Sequence, residues 1–376
     1  MIVNAISAHM GGMVTYTSNV LRHFQHSRVA ATICLPTKFS AVPKFPEGSG
    51  VVTRGMQATR YGPIRRFLWE QTMWRHIVKT SGADILFSSA NYGLLKPPIP
   101  QVLLVQGEVS FSPLYQELVT PKFNLRERTL NAMRRRLVLW SARHSDIVIF
   151  PSQTSFDSVV RCDPKLAEKS VINYLATDEK ALQTKHSRPW RHDGMLRIIY
   201  VSVYYPHKDP GTLATATRRL NENGLPSHAW ITMEPADFKI WSTGAVELKA
   251  VRDEELAGFV SMGRLPHSEV GTSMAGHDVL VSPSLAETFG FPLVEGMAAG
   301  IPVVAANTEC HREICGDAAL YFEPRNPQAL CQRLMELDAD PGLRSDLCQK
   351  GAERVRNLFT WDRHLRALFD CFERLL

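Results

Sequence analysis

Val279-Leu-Val-Ser-Pro-Ser-Leu-Ala-Glu-Thr-Phe-Gly-Phe-Pro-Leu-Val-Glu-Gly-Met-Ala-Ala-Gly-Ile-Pro-Val-Val-Ala305 is the stretch whose reading decides the fold. It opens on a short apolar run, 279–281, ended by Ser282-Pro283. A loop follows and closes on Gly290-Phe291. Pro292 suits the first turn of a helix, where its fixed φ fits and its missing N–H is not needed. The helix, expected over 292–299, stops at Gly300, a natural left-handed cap, and 301–305 reads as the next strand. In such a strand–loop–helix–strand unit the ligand sits beyond the C-terminal end of the strand, at the helix N-terminus.

Two carboxylates flank that position. Glu287 lies in the loop, and Glu295 falls in the first turn of the helix. The N–H groups of Gly290, Phe291, Leu293 and Val294 surround the positive end of the helix dipole and suit a phosphate. The carboxylates repel a phosphate and better accept hydrogen bonds from hydroxyls. Hydroxyl acceptors beside phosphate donors describe a sugar nucleotide. Taken singly, each residue has a plainer reading: Glu295 complements its own helix dipole, and Glu287 is solvated.

The combination is more specific. Glu287 and Glu295 with Phe289-Gly-Phe-Pro292 between them, then Met297-Ala-Ala-Gly-Ile-Pro-Val-Val304, resemble the signature of the retaining glycosyltransferases of family 4. The match is close over 261–325 and looser elsewhere. The resemblance implies an α/β chain of GT-B fold, two Rossmann-like domains with a cleft between them. It implies that Glu295 binds the donor ribose and Glu287 the donor sugar, while the backbone of 290–294 holds sugar and diphosphate. Lys208, in Ser202-Val-Tyr-Tyr-Pro-His-Lys-Asp209, matches the family lysine near the diphosphate, where it would neutralise charge on the leaving group. The family's Gly-Arg stands here as Ser202-Val203, so the arginine is missing. Gly263 and Arg264, in Ser261-Met-Gly-Arg-Leu-Pro266, match the loop bordering the donor base. On the acceptor side the resemblance implies Gly11, Gly12 and Tyr16. A histidine common near the end of the 102–105 strand corresponds to Gln106, so its role does not carry over.

At 376 residues, two domains are expected. We place an N-terminal domain at 1–180, a polar linker at 177–194 and a C-terminal nucleotide-sugar domain at 195–358. A helix at 361–376, with Leu365, Leu368, Phe369, Phe372 and Leu376 on one face, follows Thr360 as its cap. By the resemblance it crosses back to the first domain. Asp84-Ile-Leu-Phe, Asp146-Ile-Val-Ile-Phe and Asp278-Val-Leu-Val each place an Asp before an apolar strand, the mark of buried parallel strands.

Up to position 185 there are 23 Lys+Arg against 12 Asp+Glu, a balance of +11; the remainder has 20 against 25, a balance of −5, giving the overall +6. The first half is therefore expected to meet something anionic. Residues 54–79 mix Arg54, Arg60, Arg65, Arg66, Arg75 and Lys79 with Phe67, Trp69 and Trp74. Residues 126–143 form a helix whose apolar stripe, Leu130, Met133, Leu137 and Trp140, leaves Arg134–Arg136 aside. The plain reading is a core helix with a solvated basic face; the functional one is a surface for anionic lipid or phosphate. No nucleic-acid recognition motif is present.

The start of the chain reads as a strand rather than a signal peptide, and no apolar run reaches bilayer length. Seven cysteines without a Cys-x-x-Cys pair fit a reduced cytoplasm, with attachment to the inner face of the membrane as an option. Cys310, His311 and Cys315 lack zinc spacing, and Asp338-Ala-Asp340 reads as a helix-terminating turn rather than a metal site. The expected activity is transfer of a hexose, such as mannose, from a nucleoside-diphosphate sugar to a glycan or lipid-linked acceptor of the cell envelope, without metal or other cofactor. A sugar-nucleotide epimerase or phosphorylase, and a catalytically silent sugar-nucleotide-binding protein, are the alternatives.

Overall fold

Short, mostly apolar runs build strands paired only in parallel among the described residues. The computed structural model describes residues 1–8, 12–24, 29–39, 42, 45, 48–61, 63–89, 91–177 and 189–376. Its first sheet contains β1 (Ile2–Asn4), β2 (Ala31–Pro36), β3 (Val51–Met56), β4 (Leu86–Ser88), β5 (Gln101–Leu104), β6 (Ile147–Phe150) and β7 (Ser170–Ile172), in the order β3-β2-β1-β4-β5-β6-β7. The second contains β8 (Leu196–Tyr200), β9 (Ser227–Ile231), β10 (Val260–Met262), β11 (Val279–Ser282), β12 (Val303–Ala306) and β13 (Ala319–Phe322), in the order β10-β9-β8-β11-β12-β13. Each order reverses direction once, between β1 and β4 and between β8 and β11. Ligands of doubly wound sheets bind at such reversals, outside the carboxyl ends of the strands.

The recurring Asp has a structural purpose at two of its three places. Asp146 Oδ2 accepts from the N–H of Gln101 at 2.8 Å, and Asp278 Oδ2 accepts from the N–H of Arg197 at 2.8 Å. Each carboxylate thus satisfies a backbone donor where the neighbouring strand begins. Asp84 is exposed instead.

The chain forms two compact units. One comprises Met1–Phe111, Thr129–Leu175 and Trp361–Leu376; the other comprises Ser112–Arg128 and Ala176–Thr360. The helix Trp361–Glu373 therefore belongs with the first unit, where Phe369 lies 5.5 Å from Phe24 and Phe372 lies 5.5 Å from Phe87, ring centre to ring centre. Residues 112–128 pack with the second unit, a difference from the sequence-drawn domain 1–180. Most of the 177–194 linker lies outside the described residues.

The basic segments also differ from expectation. In the helix Leu125–Arg143 the buried residues are Asn131, Val138, Ser141 and Ala142. Val138 and Ala142 pack with Leu103, Val105, Val148 and Phe150, small side chains allowing close approach of helix to sheet. Two residues of the expected apolar stripe turn outward, Met133 at 38% exposed and Trp140 at 48%, while Leu130 and Leu137 are half-buried. In the other segment Trp74 is fully buried beside Val78, Ile2 and Leu86, with Trp69 packed on the same cluster. Arg66 pairs with buried Glu70 at 3.0 Å. No helix among the described residues is long and apolar enough to cross a membrane, and all seven cysteines are free.

Candidate functional site

The loops after β8 and β11, adjacent strands at the reversal of the second sheet, are stitched together. The N–H of Leu285 donates to the carbonyl of His207 at 2.7 Å. Tyr200 Oη donates to the carbonyl of Lys208 at 2.8 Å and lies 3.0 Å from Ser284 Oγ. Asp209 takes a left-handed conformation, φ +49°, and starts the helix Pro210–Glu222, with Thr212 Oγ1 donating to its carboxylate at 2.7 Å. A left-handed non-glycine residue costs on the order of 1–3 kcal/mol and persists only where the surroundings fix it.

That turn sets Lys208 opposite Glu287, Nζ to Oε1 2.5 Å, each side chain 14% exposed. Burial alone would raise the Glu287 carboxyl, but the Lys208 ammonium outweighs it and holds the carboxyl below its ordinary range. The two residues assigned to catalysis from the sequence therefore meet. The cation at the position of Val203 is still missing, and the nearby imidazoles do not replace it. Burial pushes His207 down to about 3 and lowers His311, so both are neutral. Sequence reasoning passed over His207, whose proximity to Glu287 follows only from the pairing of β8 with β11. His311 was weighed only as part of a zinc cluster; its Nδ1 lies 2.7 Å from the carbonyl of Ala306.

Gly290 has φ +83°, and a Cβ there would come within 2.9 Å of Leu293 Cδ1, so the turn into the helix Phe291–Ala298 requires glycine. Gly296 lets this helix lie on β11, since a Cβ would meet Leu280 Cδ2 at 2.6 Å. Of the four N–H groups expected to face a phosphate, that of Leu293 is already used, donating to the carbonyl of Gly290 at 3.0 Å. The tight turn closes on itself and removes that donor. The N–H groups of Gly290 and Phe291 have no partner among the described residues, while that of Val294 lies within the helix.

Glu295 has neither a hydrogen-bond nor an ion-pair partner for its carboxyl among the described residues. Its side chain retains some solvent access, yet the carboxyl is surrounded by protein, and burial pushes it up to about 7. A buried unpartnered carboxyl on a helix with unpartnered N–H groups at its entry marks a candidate ligand site.

The remaining assignments are less concentrated. Gly263 donates its N–H to the carbonyl of Ile231 at 3.2 Å, and the space above its Cα is open to 3.9 Å. Arg264 is held by Asp237 at 2.8 Å and Glu234 at 3.5 Å, half-exposed. In the first unit Gly12 opens the helix Gly12–Phe24, and its carbonyl accepts from Gln106 Nε2 at 3.1 Å. Gly11 lies outside the described residues. Tyr16 is 1% exposed, with its hydroxyl 3.2 Å from His364 Nε2 and its ring against Trp361. Asp338 accepts from Trp190 Nε1 at 2.7 Å and pairs with Arg191 at 2.9 Å, while Asp340 caps the helix Pro341–Leu358 through the N–H of Leu343 at 2.9 Å.

Residues 183–354 match the family described as Glycosyl transferases group 1. An uncharacterized glycosyltransferase of Methanocaldococcus jannaschii is 28% identical over 80% of this chain and 78% of its own. O-antigen chain mannosyltransferase B of Escherichia coli is 29% identical over 27% of this chain and 26% of its own. Among solved structures, sucrose-phosphate synthase of Thermosynechococcus elongatus superposes with a TM-score of 0.76 at 16% identity, covering 100% of this chain and 98% of the other. HepE of Anabaena in complex with UDP-glucose gives 0.71 at 16% identity, covering 100% and 99%.

Proposed function

We propose that the protein, whose residues 183–354 match the glycosyl transferases group 1 in a chain of GT-B fold, transfers a hexose from a nucleoside-diphosphate sugar with retention of configuration. The observation that carries this reading is the unpartnered Glu295 carboxyl on the helix whose entry leaves the N–H groups of Gly290 and Phe291 without a partner among the described residues. Ribose hydroxyls donate to Glu295, and the diphosphate takes the N–H groups at the positive end of the helix. Lys208 meets the leaving diphosphate, and Glu287 accepts from a hydroxyl of the transferred sugar as positive charge develops at its anomeric carbon. Lys208 and the helix donors fill the role a metal would otherwise fill. UDP-glucose bound to HepE favours trying a uridine donor first.

A thermal-shift screen of UDP-, GDP- and ADP-sugars tests the donor. A matching donor at a hundred times its Kd stabilises by about 2.7 kcal/mol, and the shift should persist in EDTA. No shift with any of them overturns the reading, and a shift that needs Mn²⁺ or Mg²⁺ overturns its metal-free form.

The acceptor in this proposal is a glycan or a lipid-linked glycan of the cell envelope, reached at an anionic membrane face. Met133 and Trp140, outward on the helix Leu125–Arg143 beside Arg134 and Arg136, form the surface. Each basic residue near such a bilayer contributes about 1 kcal/mol. Vesicles containing phosphatidylglycerol should sediment the protein at low salt, lose it as salt rises, and lose it when Arg134 and Arg136 become Glu. Indifference to these vesicles at low salt would favour a soluble acceptor.

A further inference from the structure

Residues 112–128 come from the first half of the sequence yet pack within the second unit. The attachment has several parts. Arg325 Nη2 donates to the carbonyl of Leu118 at 3.0 Å, and the N–H of Ser242 donates to the Glu127 carboxylate at 2.8 Å. Lys122 of this segment, with Arg325, acts electrostatically on Asp209, the residue that follows Lys208.

Five aromatic rings complete the attachment and form a closed circuit. Tyr115 lies 6.2 Å from Phe123, and Phe123 stacks on Trp241 at 5.9 Å and 19°. Trp241 lies 5.8 Å from Tyr205, Tyr205 stacks on His207 at 5.8 Å and 23°, and His207 returns to Tyr115 at 5.7 Å. Tyr115, Phe123 and His207 are each 4–6% exposed. His207 immediately precedes Lys208, and its carbonyl is the acceptor that ties the β8 loop to Leu285. Its side chain is therefore fixed on one side by Tyr205, from its own loop, and on the other by Tyr115, from the 112–128 segment.

We propose that residues 112–128 are a positioning strap: Tyr115, backed by Phe123, closes the aromatic circuit around His207 and so holds Lys208 where the leaving diphosphate departs. The inference rests on the role of Lys208 proposed above. Tyr115 and Phe123 are positioning residues that act through the loop, and they need not touch the substrate. Misplacing a catalytic group by about 1 Å can lower a rate on the order of a hundredfold. Loss of one wall of the circuit should therefore be read in kcat.

The test is a double-mutant cycle on nucleoside diphosphate release, with UDP-glucose and GDP-mannose as donor probes. Tyr115→Ala is expected to lower kcat roughly tenfold or more with donor KM nearly unchanged, and Tyr115→Phe to restore it. In a Lys208→Ala background the same change should alter the residual rate less than about twofold, because its effect passes through Lys208. Equal losses in both backgrounds, or none in the native one, overturn the strap. Lys208→Ala by itself tests the underlying reading, since full activity there would remove Lys208 from the mechanism whatever Tyr115 does. NMR titration of the His207 ring decides independently of the donor. With Tyr115 present His207 should stay neutral down to about 3; in Tyr115→Ala it should titrate nearer its ordinary value of about 6.5, and in Tyr115→Phe remain low. A His207 indifferent to Tyr115→Ala overturns the proposal. Should that variant fail to fold, Phe123→Leu, which weakens the same circuit from behind, takes its place in both measurements.

Discussion

Changing Lys208 to Ala is expected to lower kcat by roughly 10²- to 10³-fold, the scale set by removing one preorganised partner of a developing charge. Lys208 and Glu287 stand 2.5 Å apart, each largely withdrawn from solvent. Breaking a buried pair from one side costs about 3–5 kcal/mol, because the remaining charge is left uncompensated. Without the ammonium, burial would dominate and the Glu287 carboxyl would rise. With its folded value held below the unfolded one, Glu287 contributes stability above the unfolded value, and this is lost as pH falls through the folded value. Lys208→Ala should remove that contribution. A double variant, Lys208→Met with Glu287→Gln, replaces the ions by neutral groups of similar size and should regain most of the lost Tm without regaining turnover. Steady-state kinetics and thermal melts of the three proteins separate stability from catalysis. Native kcat in Lys208→Ala would sink the assignment. Recovery of turnover in the double variant would show that the pair only holds the fold.

What the sequence made legible was what local chemistry decides. Gly290, Pro292 and Gly300 mark the turn, the first helical turn and the cap of the helix Phe291–Ala298, each a backbone requirement visible in one residue type. Strand entry at Asp146 and Asp278 was legible for the same reason, since the carboxylate serves a nearby backbone donor. The facing of the helix Leu125–Arg143 was not. Its largest apolar residues form a stripe, but Val138, Ser141 and Ala142 allow close approach to the sheet, and packing followed size rather than hydrophobicity. The placement of 112–128 was equally hidden. Tyr115 and Phe123 meet partners more than eighty positions away, and no local pattern announces a contact at that separation. The candidate site lies between these extremes. Glu287, Glu295 and Lys208 could be named through the motif they share with a known family, while the ion pair and the approach of His207 depend on how β8 pairs with β11.

Glu295→Gln should improve the stability of the free protein while removing most of its affinity for the donor. The carboxyl has no partner among the described residues, and burial has pushed it up to about 7, above the ordinary 4.5. A carboxyl raised by folding favours the folded state most below its unfolded value. That contribution is lost as pH rises from about 4.5 through about 7, beyond which the charged form is simply buried at a cost. A tenfold change in proton affinity corresponds to about 1.4 kcal/mol, and partial solvent access reduces the total to on the order of 1–3 kcal/mol. The Gln variant should therefore melt at a higher temperature than the native protein at pH 8, with the difference vanishing toward pH 4. Donor binding should move the other way. Hydrogen bonds to a charged acceptor contribute about 1.5–3 kcal/mol each, and a ribose offers two hydroxyls, so the donor Kd should rise roughly a hundredfold or more. In the native protein donor affinity should itself fall about tenfold for each pH unit below about 7, as the carboxyl takes up its proton. Calorimetric titration at pH 6 and pH 8, with melts of both proteins across the same range, measures all three. The opposition of signs is the discriminating feature. A carboxylate present only to complement its own helix dipole would stabilise the free protein, so its replacement would lower Tm at pH 8 and leave the donor Kd unchanged. A residue whose removal strengthens the fold and weakens the complex is kept for the ligand.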